Sequence, residues 1–159
     1  MNASSVSAKG MMPVDSIVGD SAADTNLLRK MAAEAHEFMC EKEWCERIDS
    51  QHFAYGVGGV VAVFLFQITP NSEDVDSSLW VIVGDLPPAY IVAEDNPTVA
   101  DALDGYCSEM EAWVEAVEKG ESVEDLIPVN VPPTSDHAGQ LRGRVEFLRT
   151  RIMPLVRAS

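Results

Sequence analysis

The sequence predicts an α+β fold: an N-terminal helix, an antiparallel sheet of three to four strands, and two C-terminal helices packing on the sheet. Three observations predict it. Two apolar, β-rich runs, Val60–Ile68 and Leu79–Val83, stand one after the other with only a polar loop between them. A stripe of Val99, Leu103, Tyr106, Met110, Trp113 and Val117 at helical spacing follows the strands. A second stripe, Ala138, Leu141, Val145, Leu148, Ile152 and Leu155, closes the chain.

In chain order, residues 1–20 are rich in Ser, Ala and Gly and read as a flexible leader; residues 21–159 then form a single α+β domain. The first helix is expected from Ser21 or Asp24 to Ile48. Ser21, Asp24 and Thr25 offer N-cap oxygens, and Leu28, Met31, Ala35, Phe38 and Cys45 recur at helical spacing. His52–Tyr55 reads as a short strand and Gly56-Val57-Gly58-Gly59 as its turn. Val60–Ile68 follows, closed by Thr69-Pro70-Asn71. After an acidic loop come Leu79–Val83, the Gly84-Asp85-Leu86-Pro87-Pro88 turn, and Tyr90–Ala93. Asp95-Asn96-Pro97-Thr98 supplies a cap and a first-turn proline for the second helix, which Lys119-Gly120 ends. Residues 121–133 are a connector with one helical turn at Ser122–Leu126. The last helix starts at Ser135 or Asp136, and Pro154 bends its end.

The two central runs are apolar at nearly every position, without the alternation of a sheet that has one wet face. Both faces should be covered, either by helices divided between them or by helices on one face and a second subunit on the other. A homodimer is one of the two solutions.

Charge is the strongest bulk signal. The net charge is −15, and residues 48–118 hold thirteen acidic side chains and no basic one. Such a field repels DNA, RNA and anionic membranes and attracts a basic protein. The five arginines after residue 134 (Arg142, Arg144, Arg149, Arg151 and Arg157) should lie against acidic surface. Three cysteines without repeated spacing suit reduced thiols, and no apolar run reaches bilayer length, so a soluble, cytoplasmic protein is expected.

Few residues point to chemistry. Tyr55–Val61 contains glycines, but a β-branched run follows and no lysine occurs between Lys42 and Lys119, so it lacks what a phosphate loop needs. His36-Glu37-Phe38-Met39-Cys40 places His36 and Cys40 four apart on one helix face, a weak metal-ligand pair with no evident third member. Nothing calls for a cofactor. Cys107 lies mid-helix with no histidine near in sequence, and no serine stands in a nucleophile-elbow context. Asp49, Asp85, Glu94 and Asp95 are the remaining acid/base carboxylates. Asp85 stands out because it follows an apolar strand, where carboxylate pKa values rise. Ordinary turn chemistry nevertheless accounts for every residue around it.

Trp80, Ile82, Gly84, Asp85, Leu86, Pro87 and Tyr90 form a W-x-I-x-G-D-L-P-x-x-Y pattern. In this the chain resembles a family of small uncharacterised bacterial proteins that carry that hallmark. Trp44-Cys45 is similar to a Trp-Cys pair on the first helix of those proteins, and the order of the later helices agrees. The glycine-rich hairpin stands where they carry a tryptophan-rich stretch. The resemblance implies the fold order and marks Trp80, Gly84, Asp85, Pro87 and Tyr90 as signature positions; it assigns no catalytic residue.

Three functions fit these residues. The first is a non-enzymatic, acidic protein-interaction domain, immunity- or inhibitor-like, with a basic partner. The second is a secretion-chaperone-like acidic dimer, which needs a sheet interrupted by the second helix. The third is a small enzyme that uses Asp85 with His52 or a tyrosine at the Gly84-Asp85 turn.

Overall fold

The computed structural model describes residue 8 and residues 10–158. Its elements are β1 (Met12–Pro13), α1 (Ala22–Cys40), β2 (Cys45–Val57), β3 (Val61–Pro70), β4 (Ser78–Gly84), β5 (Leu86–Val92), α2 (Val99–Lys119) and α3 (Ser135–Phe147). A π-helical turn, Leu148–Ile152, joins α3 to a short α4 (Met153–Ala158). The five strands form one antiparallel meander in the order β1-β2-β3-β4-β5. This is the expected α+β class, and no helix interrupts β2 through β5.

The helices divide between the two faces of the sheet. On one face Leu28, Met31, Ala35 and Met39 of α1 pack against Phe64, Phe66, Leu79 and Val81. On the other, Leu103, Tyr106, Met110 and Trp113 of α2, with Leu141 and Val145 of α3, pack against Val63, Leu65, Trp80 and Ile82. Alternate residues of β3 and β4 therefore enter opposite cores, which is why both runs are apolar throughout. Removing one of the large side chains, as in Phe64→Ala, would cost about 3–5 kcal/mol. Both faces are covered within one chain.

Four local expectations need correction. The helix forecast to Ile48 stops at Cys40, and β2 starts at Cys45 rather than His52. Pairing decides this: Cys45 lies opposite Pro70 and Ile48 opposite Ile68, so the long β3 recruits a segment whose glutamates favour helix. Asn71 locks the junction, its backbone N–H bonding the Trp44 carbonyl at 2.9 Å and its side chain the Glu43 carbonyl at 3.1 Å. The forecast leader is ordered in part, because Met12 and Pro13 pair with Phe53 and His52 and Ile17 is fully buried against the α1 face. The rest of that forecast, residues 1–7 and 9, lies outside the described residues.

The third correction concerns the hallmark turn. It is narrower than forecast: Asp85 alone separates β4 from β5, and Pro87 and Pro88 lie within β5. They can do so because β5 is an edge strand, where a missing N–H need not break a ladder. The C-terminal helix widens into a π-helical turn ahead of Pro154. The Met153 N–H reaches back five residues to the Leu148 carbonyl, just before Pro154, whose ring crowds the preceding turn.

The fourth correction is the start of α2: its cap is Thr98, so Pro97 stands one residue before the cap and not in the first turn. The Thr98 hydroxyl accepts from the Asp101 N–H at 3.1 Å, and Gly120 closes α2 with φ of 69°. The Ser21 hydroxyl accepts from the Asp24 N–H, while the Asp24 carboxylate accepts from the Gly58 N–H at 2.8 Å and ties the β2–β3 turn to the start of α1. Among the described residues, no helix is long and apolar enough to cross a membrane.

Candidate functional site

The residues of the W-x-I-x-G-D-L-P-x-x-Y pattern are spread along β4, the corner at Asp85 and β5, with Trp80 and Tyr90 well away from the corner. Trp80 is fully buried, and its indole N–H donates to the Asn96 carbonyl at 2.7 Å, fixing the loop before α2. Gly84 has φ of 150°, and a Cβ there would lie 2.2 Å from the Val60 carbonyl oxygen. The Asp85 N–H donates to that same oxygen at 3.0 Å. The Pro87 carbonyl accepts from the Tyr106 hydroxyl at 2.6 Å. Tyr90 is stacked edge-on against Trp44, ring centroids 5.1 Å apart, and tilted against Phe38 at 6.4 Å. Trp44 and Cys45 lie beyond the end of α1, not on it.

The Asp85 carboxylate stands 72% exposed, 3.3 Å from the Arg144 guanidinium of α3. Two open cavities, of about 540 and 320 Å³, meet at this pair. His137 lines the smaller one, but its ring Nδ1 is engaged by the Thr134 hydroxyl at 2.9 Å. This exposed carboxylate faces a guanidinium and, among the described residues, lies beside no nucleophile that it could activate. Among the described residues, no histidine, cysteine or tyrosine forms a hydrogen bond with Asp85.

The other sequence candidates are scattered. His36 and Cys40 both lie on the exposed side of α1, and among the described residues no group of three or more His, Cys, Asp or Glu side chains could hold a metal ion. Cys107 lies on the buried face of α2, and burial pushes its thiol up to about 11, far from the thiolate a nucleophile needs. Burial likewise raises Tyr106, which stays a hydroxyl donor. Asp49 is held down by the hydrogen bond from Arg47, a surface pairing across β2. His52 lies on β2 opposite Leu65, away from Asp85, which lies between β4 and β5.

Three of the five C-terminal arginines do meet acidic surface. Arg142 pairs with Glu118 and Arg144 with Asp85, while Arg149 bonds Asp104, Glu111 and the Ser108 hydroxyl. The Arg142 and Arg149 contacts fasten α3 and the π turn to α2, and the Arg144 pair joins α3 to the β4–β5 corner.

A site the sequence reading missed lies beside Tyr90. A groove of about 450 Å³ runs along β5, flanked on one side by Phe38 and Lys42 and on the other by Glu109 and the connector at Asp125–Pro128, with Asp95 also in its wall. Asp95, Glu109 and Asp125 are exposed, and among the described residues none has an ion-pair partner. Lys42 lies 4.0 Å above the Phe38 ring. The sequence singles out Tyr90 and Asp95 separately; their gathering with Glu109 and Asp125 around an edge strand depends on the fold.

Comparison with known proteins adds no relative: the chain matches no family model, no curated protein and no solved structure.

Proposed function

We propose that the chain is a non-enzymatic, acidic protein-interaction domain, immunity- or inhibitor-like, that binds a basic partner. One observation carries the reading. Three C-terminal arginines are committed to internal pairs, whereas Asp95, Glu109 and Asp125 keep their charge exposed around the half-open Tyr90. An aromatic side chain beside a rim of three acidic residues, with Lys42 drawn over the Phe38 ring, suits an interface that recognises lysine or arginine. The hallmark residues serve the architecture in this reading, since each has a structural partner. The test is affinity capture from the source cell with the full chain and with an Asp95→Asn, Glu109→Gln, Asp125→Asn triple variant of unchanged circular dichroism. The expected result is a basic protein retained by the native chain and lost by the variant. Equal retention, or no specific protein at modest salt, overturns the reading.

A further inference from the structure

The backbone of β5 is as informative as its side chains. The Ala93 N–H donates to the Ser78 carbonyl at 3.1 Å, and on the other side of β4 the Ile68 N–H donates to the Ser77 carbonyl at 2.8 Å. Antiparallel ladders alternate, so these two bonds fix the phase of the sheet. Ala89 and Ile91 direct their backbone groups to Ile82 and Trp80 of β4. Tyr90 and Val92 direct theirs the other way, into the groove. The Val92 carbonyl is taken by the Asn96 side chain at 3.1 Å. The Tyr90 N–H and carbonyl and the Val92 N–H remain turned to the open edge, and among the described residues no backbone hydrogen bond links the connector to β5. Pro87 and Pro88 block the first half of the edge; the second half is a template for pairing.

We infer that this edge takes an extended segment of a basic partner as a sixth strand, an inference that rests on the acidic-interaction reading above. Main-chain bonds to Tyr90 and Val92 supply the pairing, and the two flanks supply the selection. Side chains alternate across a strand, so one set meets the aromatic flank of Phe38 and Tyr90. The other set meets Glu109 and Asp125. The occupant is therefore an alternating basic and apolar sequence. A second copy of this chain fits poorly, because symmetric pairing of two β5 edges sets the same acidic flanks together on chains that each carry −15.

The test uses the full chain and a short capped peptide alternating lysine and valine, at low ionic strength. A control peptide has the same side chains with every backbone nitrogen methylated. The readouts are affinity and amide hydrogen exchange followed by NMR. The peptide should slow exchange at Tyr90 and Val92 by about tenfold or more, and the methylated control should bind about tenfold more weakly. The Glu109→Gln, Asp125→Asn variant should show a comparable loss. If both peptides bind alike and leave Tyr90 and Val92 unprotected, strand addition is wrong while the acidic-interaction reading stands. If neither binds, both fall. Protection of Tyr90 and Val92 without peptide, rising with protein concentration and accompanied by dimer mass in sedimentation, makes the occupant a second copy and overturns the inference.

Discussion

The Tyr106 hydroxyl donates a 2.6 Å hydrogen bond to the Pro87 carbonyl, which ties α2 to the proline-bearing half of the edge strand. Tyr106 is fully buried among apolar side chains, while Pro87 at the other end of the bond is half-buried. Tyr106→Phe keeps the packing and leaves the Pro87 carbonyl unsatisfied. The expected loss is about 1–3 kcal/mol, read as a lower urea midpoint at unchanged slope. A midpoint equal to the native one would mean that the carbonyl finds another donor.

Gly84 is the position in the hallmark least able to accept a side chain. Its φ of 150° is foreign to other residues, and its missing Cβ leaves room for the Val60 carbonyl that also receives the Asp85 N–H. Gly84→Ala should cost about 2–4 kcal/mol from backbone strain and crowding together. Thermal unfolding followed by circular dichroism measures it, and a melting temperature within a degree or so of native would refute the steric account.

What could be read from the sequence, and what could not, follows the range of the forces involved. The core strands and α2 were legible because their apolar patterns record burial residue by residue, as Val81 and Met110 do. The segment from Glu41 to Ile48 was misread because its local preference is helical while its fate is set by pairing with Thr69 and Pro70, more than twenty positions away. Met12 and Ile17 carried too little local signal to reveal a strand and a core contact. Asp85 stands out in the sequence because it follows an apolar strand, yet its neighbour in space is Arg144. The groove beside Tyr90 draws on α1, β5, α2 and the connector, and no local pattern joins Phe38 to Glu109 and Asp125.

The Asp85–Arg144 pair should contribute little to stability. Its carboxylate is mostly in water and the separation is 3.3 Å, the geometry of a surface ion pair rather than a locked one. A double-mutant cycle with Asp85→Asn and Arg144→Gln should give a coupling below about 1 kcal/mol that shrinks with added salt. A salt-insensitive coupling several times larger would show that the corner is desolvated in solution and reopen the question of a site there.

The three thiols should respond to alkali and to labelling in different ways. Cys40 is exposed, Cys45 partly so, and Cys107 buried. At neutral pH a thiol reagent should modify Cys40 first and reach Cys107 only through unfolding. Burial raises the Cys107 thiol from its ordinary 9.0 to about 11, so between these values the unfolded chain releases a proton that the folded chain keeps. The folded state then binds more protons than the unfolded one, and its stability must fall as pH rises through that window; the advantage is fully present below pH 9.0 and gone above about 11. Tyr106, raised by burial in the same direction, extends the loss to higher pH. Urea titrations across the alkaline range check the sign. The decline should be shallower in Cys107→Ala, after its own packing loss is subtracted, because that variant has no buried thiol to ionise. An equal decline in both proteins would assign the alkaline instability to other groups and leave Cys107 a packing residue alone.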